Sequence, residues 1–196
     1  MSHSFFAMFS RMKYIDRWAL MRNTRKETLS EHSLEVAAIA HALAVIANER
    51  CGASLNTERT ALLGIYHDMP EIITGDMPTP IKYGNPELKA AYKAVEKETA
   101  SRLVSLLPDY MQNSYKGFFV KQDSDAELWR AVKAADKISA LIKCTEEEKA
   151  GNREFAGAKK AVSALIDELD YKPAAIFLEE FMDAYSLNLD ELQQMN

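Results

Sequence analysis

The chain has 196 residues, close to the size of one domain, and 47% of them are hydrophobic. Asp and Glu (29) outnumber Lys and Arg (24), and the resulting net charge of −5 argues against a nucleic-acid-binding surface. Two cysteines are too few for a disulfide framework, and the sequence lacks both a run of about 18 uncharged apolar residues and a signal-peptide core. We therefore expect a cytoplasmic single domain over residues 1–196, with neither a nucleic-acid nor a membrane partner.

Residues that favour helices dominate the sequence, and it lacks the alternating β-branched and aromatic runs that are typical of strands. The sequence therefore predicts an all-α fold. Apolar periodicity and end signals place the helices at 4–13, 31–50, 58–69, 87–106, 109–120, 125–150, 154–169, 174–185 and 189–194.

Two of these helices have predicted capping residues, Ser30 before 31–50 and Thr57 before 58–69. In helix 31–50, the apolar residues on which the prediction rests are Leu34, Ala37, Ala38, Ala42 and Val45.

Four of the six prolines fall within residues 70–86, which predicts an irregular loop with one helical turn around 71–74. Loops of this length inside compact domains are usually functional or disordered. This one follows His67 and Asp68 and contains Glu71 and Asp76. Potential metal ligands and proton-transfer groups are therefore concentrated where the backbone is irregular.

His67 and Asp68 are adjacent at a predicted helix end, where side chains about 100° apart can both reach one ion beside the helix. An imidazole and a carboxylate form a mixed nitrogen and oxygen pair, which suits a divalent transition metal better than calcium. The dipeptide also occurs by chance in many chains, so it needs further ligands to support a metal site.

Two distant residues supply such ligands. His32 lies in the first turn of helix 31–50, and Asp136 falls on the apolar face of helix 125–150. A carboxylate on that face needs a cation, hydrogen-bond donors or a proton. Bonding to Ser139 or to an arginine elsewhere is one explanation. A metal shared with His32 and the His-Asp pair is the other, and it accounts for all four residues together.

The order His32, His67-Asp68, Asp136 on an all-α chain resembles the HD-domain metal-dependent phosphohydrolase superfamily, and implies a single HD-domain helical bundle. Three longer segments resemble its bacterial 5′-deoxynucleotidases (YfbR-like), namely Arg17-Trp18, residues 30–33 (SEHS) and residues 67–83 (HDMPEIITGDMPTPIKY). Within the last, Thr-Gly-Asp-x-Pro-Thr-Pro at 74–80 is much more specific than the His-Asp pair. Pro70 departs from the small residue expected at its position.

The resemblance implies an enzyme that hydrolyses deoxyribonucleoside 5′-monophosphates to a deoxyribonucleoside and phosphate. One divalent transition metal ion, such as cobalt or manganese, would polarise the phosphoryl oxygens and lower the pKa of bound water towards ~7. The residues that would hold this ion are His32, His67, Asp68 and Asp136.

Roles for other residues follow from the same resemblance. Arg17 would orient the substrate phosphate and so assist catalysis, and Glu71 and Asp76 would transfer protons. Trp18 would pack against the sugar where a 2′-hydroxyl lacks a partner, although plain core packing is an equal interpretation. The remaining contacts to the substrate would come from His32, Asp68, Asp76, Met77, Pro78, Thr79 and Asp136.

Two alternative functions remain open at this point. The first is another HD phosphohydrolase, acting on nucleoside triphosphates, cyclic dinucleotides or a guanosine alarmone. The second is a non-catalytic helical regulatory module whose metal is structural or lost. Nine methionines, eight phenylalanines and long amphipathic helices, together with the resemblance, favour a homodimer.

Overall fold

The computed structural model describes residues 2–78 and 85–194, and within them the regular elements are helices, apart from one isolated antiparallel bridge between Asp16 and Thr28. This confirms the all-α prediction. The α-helices are α1 (Phe5–Phe9), α2 (Leu29–Cys51), α3 (Thr57–Tyr66), α4 (Glu71–Thr74), α5 (Pro86–Ser105), α6 (Asp109–Phe119), α7 (Ala126–Lys149), α8 (Ala156–Asp167), α9 (Lys172–Phe181) and α10 (Leu189–Gln193). Short 3-10 helices cover Ser10–Tyr14, Asp123–Asp125, Arg153–Phe155 and Met182–Ser186.

The predicted caps of α2 and α3 are each displaced by one or two residues. Thr28, not Ser30, caps α2, because its Oγ1 accepts from the Glu31 amide (3.3 Å) while Glu31 Oε2 accepts from the Thr28 amide (2.8 Å). A start at Ser30 would lose this reciprocal capping box. Asn56, not Thr57, caps α3 by accepting from the Arg59 amide at 2.8 Å.

Helix α2 is the central element of the bundle and contacts α3, α7 and α9. Its buried side carries Val36, Ala40 and Leu43, whereas Leu34 is 70% exposed and Val45 39% exposed. Three of the five apolar residues predicted for this helix are therefore exposed, namely Leu34, Ala38 and Val45, while Ala42 is half-buried and Ala37 is buried. Apolar residues surround most of α2, so periodicity alone could not indicate which side its neighbours cover.

By length and composition alone, α2 could also cross a membrane, since its 23 residues include a stretch with a mean hydropathy of 1.3. In the fold, 56% of that stretch is buried against other helices. A core helix of a bundle has this pattern.

A close approach of α3 to α2 depends on Gly64. A Cβ atom at this position would lie 2.8 Å from Ala37 Cα, too close for any larger residue without movement of the helices. Because α3 ends at Tyr66, this contact brings the next residue, His67, close to α2.

The connector between the first 3-10 helix and α2 is fastened to α7 by the buried carboxylate of Glu147, which is 1% exposed. Glu147 accepts from the Thr24 amide (2.9 Å) and hydroxyl (2.8 Å), from Asn152 Nδ2 (2.8 Å) and from Lys143 Nζ. Lys143 Nζ also donates to the carbonyl of Arg25. Burial by itself raises the pKa of Glu147, but these hydrogen bonds outweigh it and lower the pKa to about 2.

We expect Glu147→Gln to lower the free energy of unfolding by about 3 kcal/mol at neutral pH, because the Lys143 ammonium would lose its buried partner. The native carboxylate contributes stability above its ordinary pKa of 4.5, and this contribution is lost as the pH falls through about 2. The variant should therefore lack that part of the acid dependence. Urea unfolding followed by circular dichroism from pH 7 to pH 2 measures both effects.

The control is Glu148→Gln, on the same helix as Glu147, which removes an exposed ion pair with Lys159 of α8. It should cost less than about 1 kcal/mol. Equal losses in the two variants would contradict an anchoring role for Glu147.

Candidate metal centre and active site

Four predicted ligands converge from three parts of the chain. His32 comes from the first turn of α2, His67 and Asp68 follow α3, and Asp136 lies in the middle of α7. Their ligand atoms all lie within 4.8 Å of one another. His32 Nε2 is 3.3 Å from Asp136 Oδ1 and 3.5 Å from Asp68 Oδ2, and His67 Nε2 is 2.9 Å from Asp68 Oδ2.

Hydrogen bonds to the Nδ1 atoms orient both imidazoles. His67 Nδ1 lies 2.7 Å from the Gly64 carbonyl, which can only accept, so Nδ1 carries the proton. His32 Nδ1 lies 3.0 Å from Ser139 Oγ, and Ser139 gives its own proton to Glu35 Oε2 at 2.6 Å. Ser139 therefore accepts from His32, and both histidines direct Nε2 towards the carboxylates.

The charges of this cluster attract a cation. Burial lowers the pKa of His67, but Asp68 and Asp136 outweigh burial and raise it to about 9. Burial raises the pKa of Asp68, yet His67 and His32 hold it well below its usual range. For Asp136, hydrogen bonding to His32 and the charge of Lys137, whose Nζ lies 2.7 Å away, outweigh burial and lower the pKa.

The donor set fits a divalent transition metal. Both Nε2 atoms are buried and face the carboxylate oxygens of Asp68 and Asp136 at 2.9 to 3.5 Å. Two imidazoles with two carboxylates form the mixed nitrogen and oxygen set that such an ion prefers. Ser139 bonds His32 and Glu35 rather than Asp136, so the predicted alternative partner for Asp136 is not the one observed.

Arg17 and Trp18 are held beside this cluster by Glu27. Glu27 Oε2 accepts from Arg17 Nε at 3.1 Å and from Trp18 Nε1 at 3.0 Å. Arg17 is 8% exposed, and its Nη1 lies 3.8 Å from Asp68 Oδ2. Trp18 has φ +57°, which is uncommon for a bulky residue, and its ring centroid lies 5.3 Å from that of Phe155. Trp18 therefore packs on the core while its neighbour reaches the cluster.

Glu71 is buried, at 4% exposure, and lines the same cavity as His67, Asp68 and Asp136. This position excludes the interpretation of Glu71 as a solvated residue near a helix end. Pro70 directly precedes α4 with φ −57°, a value that proline adopts without strain at the start of a helix. The departure at Pro70 therefore leaves the carboxylate of Glu71 in the cavity.

Asp76 follows a turn at Gly75, whose φ of +73° favours glycine. The Gly75 carbonyl accepts from Thr74 Oγ1 (3.1 Å) and from the Tyr92 hydroxyl (3.3 Å), which fastens this turn to α5. Burial raises the pKa of Asp76, while the charge of Arg17 opposes the rise. Asp76 is therefore close enough to Arg17 to interact with its charge.

Of the remaining predicted substrate contacts, the structure describes two, Met77 and Pro78. Met77 and Pro78 are half-buried after Asp76. Thr79 lies outside the described residues.

Three residues that sequence analysis did not assign to the site support it, namely Glu27, Glu35 and Ser139. Two of them had a detectable signal, because Glu35 lies three residues after His32 and Ser139 three residues after Asp136, on the same helix faces. Glu27 had none, since its contacts depend on the fold of the connector.

Residues 4–185 match the family described as 5′-deoxynucleotidase YfbR-like. A 5′-deoxynucleotidase of Vibrio cholerae is 47% identical over 188 residues, covering 96% of this chain and 97% of the relative. One from Shewanella oneidensis is 42% identical over 195 residues and covers both chains completely.

Two solved structures have a similar fold. An HD-domain phosphohydrolase from Listeria innocua has a TM-score of 0.81 at 22% identity, covering 97% of this chain and 92% of its own. A cyanophage S-2L HD phosphohydrolase bound to dA and one catalytic Zn²⁺ ion has a TM-score of 0.66 at 16% identity, covering 91% and 96%.

The helical fold is similar to that of an HD-domain phosphohydrolase, and the His-Asp cluster has the donor set of a divalent metal site. Since the family match covers nearly the whole chain, the protein belongs to the YfbR-like 5′-deoxynucleotidase family of hydrolases.

We expect Ser139→Ala to weaken metal affinity about 10- to 100-fold, because His32 would lose the hydrogen bond that orients it. Competition against a chromogenic chelator measures this affinity. The control is Ser33→Ala, which removes a buried hydroxyl without a hydrogen-bond partner in the described part of α2 and its surroundings. If the two variants bind metal equally well, Ser139 does not orient His32.

Proposed function

We propose that this protein hydrolyses deoxyribonucleoside 5′-monophosphates to deoxyribonucleosides and phosphate. The observation that carries the proposal is the convergence of two carboxylates and two imidazole Nε2 atoms, all within 4.8 Å of one another, beside a buried arginine. Relatives more than 40% identical over nearly the whole chain are 5′-deoxynucleotidases.

His32, His67, Asp68 and Asp136 would hold the divalent ion, whose identity the donor set leaves open among manganese, cobalt, zinc and iron. When bound, such an ion polarises phosphoryl oxygens and lowers the pKa of a coordinated water. His32, Asp68 and Asp136 would also contact the phosphate group of the substrate.

Arg17 would bind and orient the phosphate. The substrate is a dianion near neutral pH, whereas the protein has a net charge of −5, so local cations are needed. Glu27 occupies Arg17 Nε, and the guanidinium end extends towards Asp68. An arginine restrained in this way can offer two parallel hydrogen bonds to phosphate oxygens.

Glu71 and Asp76 would together move the protons of the reaction. One carboxylate would orient the attacking water and accept its proton, and the other would deliver a proton to the departing sugar oxygen. The burial of Glu71 in the cavity and of Asp76 beside Arg17 supports these roles.

Trp18 would favour deoxyribose over ribose. Its indole N–H is already taken by Glu27, and its ring is fixed against Phe155. An added 2′-hydroxyl against this ring would lose its hydrogen bonds to water without a replacement. Met77, Pro78 and Thr79 would line the rest of the sugar and base.

The test is phosphate release from a panel of deoxyribo- and ribonucleoside 5′-monophosphates with manganese, cobalt or zinc. We expect the deoxyribonucleotides to be preferred, and Trp18→Ala to reduce this preference. Asp68→Ala should lose both metal and activity. Glu71→Gln should keep its metal, measured by mass spectrometry, but lose about 10²- to 10⁴-fold in kcat.

Other outcomes would contradict this function. Preference for nucleoside triphosphates, cyclic dinucleotides or a guanosine alarmone would indicate a different HD phosphohydrolase activity. Absence of metal uptake together with absence of phosphate release would indicate a regulatory module.

The chain would act as one domain in the cytoplasm. Cys51 is exposed and Cys144 buried, and both are free thiols. Free thiols are the usual state in a reducing compartment.

We also propose a homodimer formed through the outer side of α2. This side carries the exposed Leu34 and Val45, and it borders a cavity of about 640 Å³ whose lining includes Phe181. Glu146 and Lys149 line the same cavity, so a two-fold contact could pair each with the opposite charge of a second copy. A second copy that covers this surface would bury the apolar residues of α2 that are exposed in the single chain.

Light scattering after size exclusion should give about 44 kDa, twice the chain mass of 22.1 kDa. Introducing a charge at the patch with Leu34→Glu or Phe181→Glu should shift the mass towards the monomer, because a buried unpaired charge opposes association. Tyr110→Glu, at an exposed residue of α6, is the control. A monomeric wild-type protein would rule the homodimer out.

A further inference from the structure

Five lysines line a cavity that adjoins the proposed metal centre, and we call them the lysine wall. The cavity holds about 590 Å³, within the range of small-molecule sites, and His67, Asp68, Glu71 and Asp136 lie at one end of it. The lysine wall consists of Lys89, Lys93, Lys97, Lys121 and Lys133.

The lysines come from separate elements. Lys93 and Lys97 lie one turn apart on α5, Lys121 follows α6, and Lys133 lies on α7, three residues before Asp136. In a protein with a net charge of −5, five cations therefore face one cavity. Away from the metal end, Glu96 is the acidic residue among its described lining residues.

These cations are close enough to repel one another. Burial and the positive charges of Lys93 and Lys133 lower the pKa of Lys121, while Glu96 opposes this change. Such like-charge proximity costs free energy unless an anion offsets it. A bound oxyanion would supply that charge and accept hydrogen bonds from several ammonium groups.

Aromatic side chains also line this end of the cavity. Lys121 Nζ lies 4.8 Å from the centroid of the Trp129 ring, and Phe118 and Phe119 line the cavity nearby. A cationic rim over an apolar floor suits a phosphate attached to an organic group as well as a free phosphate. Arg17, proposed to bind the phosphate that is hydrolysed, is not among the described lining residues.

We propose that the lysine wall is a phosphate-binding subsite, separate from the site of hydrolysis, whose occupation inhibits the enzyme. This subsite adds a form of regulation to the proposed function. It rests on the proposed function only for the position of the phosphate that is cleaved. Phosphate oxygens could come from inorganic phosphate, the reaction product, or from the polyphosphate of a deoxyribonucleoside triphosphate. Either ligand would place negative charge in the cavity beside the metal centre and so repel the incoming dianion.

The experiment measures binding of orthophosphate and dATP to the metal-loaded protein by titration calorimetry, with protein-free titrations subtracted to remove chelation heats. The test variant is Lys93→Gln/Lys121→Gln, and the matched control is Lys116→Gln/Lys172→Gln, at exposed lysines outside the described cavity lining. We expect the test variant to lose about tenfold or more in affinity, and the control to lose little. Wild-type affinity should also fall as salt is raised.

The two ligands distinguish the sources. Loss of affinity for dATP alone indicates a polyphosphate site, loss for orthophosphate alone a product site, and loss for both a general phosphate subsite. Unchanged affinity for both ligands in the test variant would overturn the proposal.

Hydrolysis of dAMP is measured in parallel. If the test variant loses kcat as strongly as it loses binding, the lysines act on the cleaved phosphate and the separate subsite is wrong. Failure of the wild-type protein to hydrolyse dAMP would overturn the proposed function, whereas the binding measurement would still test the lysine wall.

Discussion

The rest of the structure depends on one interaction, the electrostatic attraction of Asp68 and Asp136 for a divalent cation. Both carboxylates lie close to His32 Nε2, and His67 Nε2 lies 2.9 Å from Asp68 Oδ2. Without a cation, this arrangement would place mutually repelling charges at a junction of helices. A metal ion therefore contributes to the stability of the site as well as to its chemistry.

The fold supports this arrangement through backbone packing and hydrogen bonds around the ligands. Gly64 lets α3 approach α2, and its carbonyl orients His67, so one residue determines both the position and the orientation of this imidazole. On the opposite side, α7 contacts His32 twice, since Asp136 faces Nε2 and Ser139 bonds Nδ1. Two residues one helical turn apart thus hold a single imidazole at both nitrogens, which limits its movement.

Sequence alone could predict the features that depend on residue type and local spacing. These include the all-α fold, the turn at 71–74 and the four residues that the fold brings together. It could not predict the buried side of α2, because Leu34 and Val36 are equally apolar and tertiary packing decides between them. Nor could it predict Glu27, whose role depends on a connector without periodicity.

The two sides of the metal centre differ in the cations they present. On one side, Arg17 is buried and fixed by Glu27, so its geometry is set before a ligand arrives. On the other, lysines with flexible stems line a wider cavity. A fixed guanidinium suits selective orientation of one phosphate, whereas mobile ammonium groups tolerate anions of different shape. Arg17 can therefore position one phosphate in a fixed orientation, whereas the lysine wall can bind anions less selectively.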